Sequence, residues 1–317
     1  MEEKKVNKFL RRQFSAICWI LIGYNVLMNV LVSVSIGLDA ISQSIAAVLH
    51  GEFLQLDLGG LMNNAWGYIL SIAVAMVVLL AWKDADYWKQ EVFRKEKTMS
   101  AGIFFCLMSL CIGSQMVNSL WITLLESLLN RFGISLMQML ETVSGDTGSF
   151  SMFLYASLLA PFFEEILFRG LVLRTLRLFG KRFAIFGSAL LFGLFHGNLL
   201  QTPYAFLMGL VLGYVTMEYS ILWAMALHLF NNLVLADLLT RLTKNWPMLA
   251  QNAINLLIFG GFALVSLAIL ISRRQEIRAY RQAEAMDGRC LKWFFLNCGF
   301  LVLAIFMLVN MVALLFA

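Results

Sequence analysis

Apolar residues gather in nine runs, separated by short polar segments. The runs lie at about 14–37, 62–82, 101–125, 151–173, 183–200, 203–219, 221–240, 251–272 and 293–316. A helix crosses a bilayer with about 20 consecutive apolar residues, so most runs are long enough to span. Only three prolines interrupt the chain, which leaves such helices mostly unbroken. The pattern predicts an all-α, polytopic membrane helix bundle of about nine transmembrane helices. No internal repeat, low-complexity tract or soluble domain stands out.

Composition agrees. Charged residues make up 14% of the 317, against about 25% in a soluble domain. The basic residues sit at the ends of runs. Nearly all of them fall in residues 1–13, in the loop with Lys83, Lys89, Arg94, Lys95 and Lys97, after span four (Arg174, Arg177, Lys181, Arg182), and after span eight (Arg273 to Lys292), while Arg131 precedes span four and Arg241 and Lys244 follow span seven. With nine spans all four segments share one side. The positive-inside rule makes that side cytoplasmic, with the N-terminus, and puts the C-terminus outside. The segment 38–60 has Asp39, Glu52 and Asp57 and no Lys or Arg, and the segment before span four ends in SGDTGS. The basic start is not read as a signal peptide, because the run after it is too long and lacks a small-residue cleavage site. Net charge of +5 therefore reflects topology and implies no nucleic-acid partner. Five cysteines lack metal-ligand spacing and read as small hydrophobes.

The fourth run holds charges that need a reason. It reads LAPFFEEILFRG at Leu159–Gly170, with Glu164, Glu165 and Arg169 at membrane depth. Each costs at least ~2.5–3.5 kcal/mol there on insertion scales. Glu165 and Arg169 are i and i+4 and can pair on one face, which reads most simply as a structural ion pair. Glu164 is turned about 100° away and faces something else. Further polar groups lie in LFGLFHGN, where Phe192 and His196 are i and i+4, and in LHLFNN, where His228 and Asn232 are i and i+4 beside Asn231. His50 reads as a loop residue outside this set. Phe192 reads as packing, and Gly187, Gly193, Gly209 and Gly213 as sites of close helix approach.

A carboxylate in apolar surroundings can serve as a general base, an imidazole can hold water against it, and an amide can donate to an oxyanion. Glu164, His196, His228 and Asn232 thus form a kit for adding water to a peptide bond. The set Glu164, His196 and His228 could instead ligate a divalent metal such as zinc. No HExxH, GxSxG or Cys–His pattern is present, which argues against zincin-type and covalent chemistry.

These motifs resemble those of the CAAX-processing and bacteriocin-processing (CPBP) intramembrane endopeptidases, which include the type II CAAX prenyl endopeptidase. EEILFRG at Glu164–Gly170 resembles the EExxxR motif, FGLFH at Phe192–His196 the FxxxH motif, and HLFNN at His228–Asn232 the HxxxN motif. The order is the family's, and the resemblance covers about residues 150–240. It implies Glu164 as the water-activating base, His228 as its partner on that water, His196 and Asn232 as oxyanion or substrate-orienting groups, and Glu165 and Arg169 in support. The family is described both as metal-dependent and as glutamate-dependent, and the asparagine leans the reading towards metal-free water activation.

The chain then divides into N-terminal helices at 1–149, a catalytic membrane core at 150–241 in spans four to seven, and C-terminal helices at 242–317. The implied activity is hydrolysis of a membrane-embedded or membrane-tethered peptide, prenylated or bacteriocin-like, in the lipid bilayer of a bacterial cell membrane. A non-catalytic scaffold or immunity protein is the alternative, and a proton-coupled transporter is a third reading. One expectation strains the picture. With straight spans Glu164 lies mid-membrane, His196 near the outer end of span five and His228 in the inner half of span seven. Convergence then requires tilted or displaced helices.

Overall fold

The computed structural model describes residues 2–51, 53, 55–136 and 148–316. Glu52 and positions 144–147 of the SGDTGS stretch lie outside the described residues. Among the described residues there are helices and turns and no strand. We number the main helices α1 (Glu2–His50), α2 (Trp66–Trp82), α3 (Ala101–Leu129), α4 (150–176), α5 (Lys181–Phe195), α6 (Thr202–Glu218), α7 (Ile221–Thr243), α8 (Met248–Ser272), α9 (Arg274–Ala283), α10 (Gly288–Phe295) and α11 (Cys298–Ala313).

Each predicted run contains helix, although the fifth is helical only to Phe195 and the ninth is broken at 296–297, and membrane-crossing length is less common than nine. Among the described residues five helices are long and apolar enough to cross: Glu3–His50, Leu58–Trp82, Ala101–Phe132, Ile221–Thr243 and Met248–Ser272. A sixth counts if α10 and α11, bent by 56°, form one span. The physical reasons are local. The fifteen residues of α5 rise about 22 Å, short of a hydrocarbon core of about 30 Å. The helix α4 carries Glu164, Glu165, Arg169 and Arg174 along its length.

Three boundaries differ from the sequence reading. The basic start and residues 38–50 join the first span in one 49-residue helix, so His50 ends a helix rather than sitting in a loop. The helix before Phe14 continues the apolar stripe, burying Leu10 as well as Phe14. The basic segment after α8 also contains a helix, α9, whose charged residues leave it without a buried face.

The main core joins α1, α4, α5, α10 and α11 through Phe14, Leu21, Phe168, Phe183, Phe192, Phe294 and Leu303. A second cluster packs α3 on α6 and α7 through Leu107, Cys111, Met208, Leu212, Val215 and Leu227. All five cysteines are free. Leu256, Leu257 and Leu264 of α8 stay exposed, as residues facing lipid rather than water would. Two glycines bring α5 and α6 together. A Cβ on Gly193 would stand 2.9 Å from the Thr202 carbonyl oxygen, and one on Gly209 would stand 3.0 Å from Ala189 Cα.

Candidate active site

The helix α4 is not regular where it carries its charges. Wide π-helical turns at Leu154–Leu159 and Ile166–Leu173 flank the α-helical turn Ala160–Glu165. Pro161 lacks an N–H and cannot complete the ladder there, which is one cause of such a turn. A third π segment, Phe230–Leu238, begins two residues after His228. Single π turns inside helices are frequent at functional sites. Carbonyls within these segments also accept from side chains of other elements. The Gly170 carbonyl accepts from the Tyr87 hydroxyl at 2.8 Å, and the Ala156 carbonyl accepts from the Asn232 amide at 3.1 Å.

His228 bridges the two glutamates. Its Nδ1 lies 2.9 Å from Glu165 Oε1, and its Nε2 lies 3.7 Å from Glu164 Oε2. A carboxylate only accepts, so Nδ1 carries the proton in the first contact and, in a neutral ring, Nε2 presents a lone pair to Glu164. The second separation is too long for a direct hydrogen bond, yet one water can touch both groups.

Beneath this pair lies a buried charge. Arg169 Nη1 stands 3.2 Å from the same Glu165 Oε1, and both side chains are 0% exposed. The guanidinium lies over the Phe192 ring, 4.4 Å from its centroid. The same ring meets His228 and His196 edge-on, with centroids 5.7 and 4.9 Å away. Phe192 therefore packs, as its apolar character suggests, and also joins the arginine to both imidazoles. Glu164 differs from its neighbours by remaining 23% exposed at the side chain.

His196 caps α5. Gly197 follows it with φ +62°, a backbone that ends the helix at small cost only for glycine. His196 Nδ1 donates to the Phe192 carbonyl at 2.9 Å, which leaves Nε2 as the outward-facing nitrogen. Asn232 turns towards α4. Its Oδ1 accepts from Asn231 Nδ2 at 3.0 Å and its Nδ2 donates to Ala156, so one amide hydrogen remains for another acceptor. Asn231 in turn accepts from the Tyr204 hydroxyl of α6.

The structure thus brings Glu164, Glu165, Arg169 and His228 into direct contact or near contact, with His196 joined through Phe192. Asn232 is anchored on the Ala156 carbonyl, two helical turns before Glu164. The levels that straight spans would separate coincide for Glu164 and His228. Sequence reasoning missed Glu165 as the partner of His228, because the i,i+4 match with Arg169 already accounted for its charge. It also missed the Tyr204–Asn231 link, for which nothing in the sequence was a signal.

A metal needs more than this pair offers. Glu164 and His228 present two donors, whereas catalytic zinc sites use three protein ligands. Among the described residues no three His, Cys, Asp or Glu side chains come together so as to hold an ion. Among the described residues Glu164, His196 and His228 do not come together as three such donors.

Residues 146–234 match the family model of type II CAAX prenyl endopeptidases like Rce1. No curated protein and no solved structure matches the chain.

Proposed function

We propose, from the match of residues 146–234 to the Rce1-like family model, that the chain is a CPBP-type intramembrane protease that hydrolyses a peptide bond by glutamate-activated water. The observation that carries this is the 3.7 Å gap between Glu164 Oε2 and His228 Nε2, with Nδ1 of the same ring held by Glu165. Water in that gap donates one hydrogen to each group. Glu164 takes the proton as the water oxygen attacks the substrate carbonyl, and returns it to the leaving amine. The free hydrogen of Asn232 is available to the developing oxyanion. His196 donates there from Nε2 only as imidazolium, since its Nδ1 proton is engaged by Phe192.

Residues 150–241 form the catalytic core in this reading, and the substrate is a membrane-embedded or membrane-tethered peptide, prenylated or bacteriocin-like. The setting is a bacterial cell membrane with the N-terminus cytoplasmic. Contacts between loops support the nine-span topology. Glu218, the last residue of α6, accepts from Lys97 at 2.8 Å, Lys181 at 3.0 Å and Tyr280 at 3.4 Å. Glu218 stands at the end of span six, and the other three come from the segments after spans two, four and eight, positions that nine crossings put on one side. Asn7 accepts from Trp293 Nε1 at 2.9 Å, which adds the N-terminus to that side.

The test is cleavage in isotopic water. The purified chain, in liposomes with a membrane-tethered peptide, should release a fragment carrying one ¹⁸O in its new carboxylate when the water is H₂¹⁸O. Intact peptide after long incubation, across prenylated and unprenylated substrates, would favour the scaffold or transporter reading.

A further inference from the structure

A second buried cation lies away from this site. Arg174, in the last turns of α4, is 5% exposed, and none of its three nitrogens has a hydrogen-bond partner. It stands ten residues from Glu164, about 15 Å along the helix, so the catalytic groups do not account for it. A guanidinium buried without hydrogen bonds is costly and stays charged.

Arg174 borders a cleft of about 510 Å³ whose walls include Tyr87, Glu91, Arg94, Arg177 and Leu178. The other charges there are matched. Arg94 Nε lies 3.2 Å from Glu96 Oε1, and Arg177 Nη1 lies 3.5 Å from Glu96 Oε1 and 4.0 Å from Glu91 Oε2. The Tyr87 hydroxyl is committed to the Gly170 carbonyl. Three guanidinia against two carboxylates leave one positive charge over, and Arg174 is the guanidinium left without a hydrogen bond.

The geometry points to a binding site in this cleft for a monoanionic phosphodiester, the headgroup phosphate of a phospholipid in the adjacent leaflet. The single negative charge matches the single excess positive one. The guanidinium fork matches two phosphate oxygens better than an ammonium would. The cleft opens at the end of a membrane helix on the face that gathers the basic loops, where basic pockets between helices take anionic headgroups. Leu178, 75% exposed at the rim, offers an apolar surface to the lipid's glycerol and chains. This site stands independently of the proteolytic reading.

The experiment uses the full chain, purified and delipidated in detergent. Its melting temperature is followed against dihexanoylphosphatidylglycerol, against dihexanoylglycerol, which lacks phosphate, and against inorganic phosphate. The wild type should be stabilised by the diester alone. Arg174→Met should melt no lower without ligand, because it removes an unpaired charge, and should bind the diester at least tenfold more weakly. If Arg174→Met does not fold, Arg174→Lys decides, with binding at least threefold weaker because the fork is lost. Equal stabilisation of wild type and variant, equal stabilisation by inorganic phosphate, or none of the wild type would each overturn the site.

Discussion

His228 and Glu165 meet across two helices, with Nδ1 and Oε1 2.9 Å apart in a buried contact. The carboxylate that pairs with Arg169 therefore also fixes the direction and tautomer of the imidazole. A ring held this way aims its other nitrogen at Glu164, an orienting role like that of the aspartate in a catalytic triad.

Replacing Glu165 by Gln tests that role. The amide oxygen still accepts from Nδ1, but the negative charge is lost. Turnover should fall about 100-fold or more, with a smaller change in KM. Steady-state cleavage in liposomes reads this, and unchanged kcat would assign Glu165 to structure alone.

Arg169→Met should destabilise the fold. It leaves Glu165 buried without its cation, a loss of about 3–5 kcal/mol when one partner of a buried pair is removed. The double variant with Glu165→Gln should recover part of that loss. Thermal unfolding in detergent gives both values, and a wild-type melting temperature for Arg169→Met would contradict the pairing.

Gly193→Leu should separate α5 from α6. Even a Cβ there meets the Thr202 carbonyl at 2.9 Å, and overpacking of this kind costs about 1–3 kcal/mol. Because His196 caps the same helix, activity should fall along with melting temperature. A variant as stable and as active as wild type would show that the close approach is not required.

The Lys97–Glu218 contact predicts an alkaline limb. Its hydrogen bond to Glu218 raises the pKa of Lys97 in the folded state. That contribution is fully present below the unfolded value of about 10.4 and is lost as pH rises through the raised value. Lys97→Met should therefore flatten the fall in stability above about pH 10.4. Melting scans from pH 8 to 11 check it, and identical slopes would remove the contact from the account.

Much of the fold is legible in the chain, because each apolar run carries its own evidence for a helix. The Glu165–Arg169 contact is equally local, since i,i+4 spacing puts the two on one face. The number of membrane crossings is less legible. Whether α5, with fifteen residues, spans the bilayer depends on its tilt and neighbours, which no run length encodes. The His228–Glu165 contact needs the relative depth of α4 and α7, and the π turns around Pro161 and after His228 alter the rotation of both helices. The helicity of residues 38–50 escaped notice because their mixed polarity reads as a loop, although the helix before them simply continues.

The central claim is that Glu164 takes a proton from water held against His228. Single-turnover cleavage of a membrane-tethered peptide by Glu164→Gln tests it most directly, with thermal unfolding as the check on folding. The account predicts a folded variant slowed by about 10²–10⁴-fold, the usual worth of a general base. A folded Glu164→Gln that cleaves at the wild-type rate would contradict it.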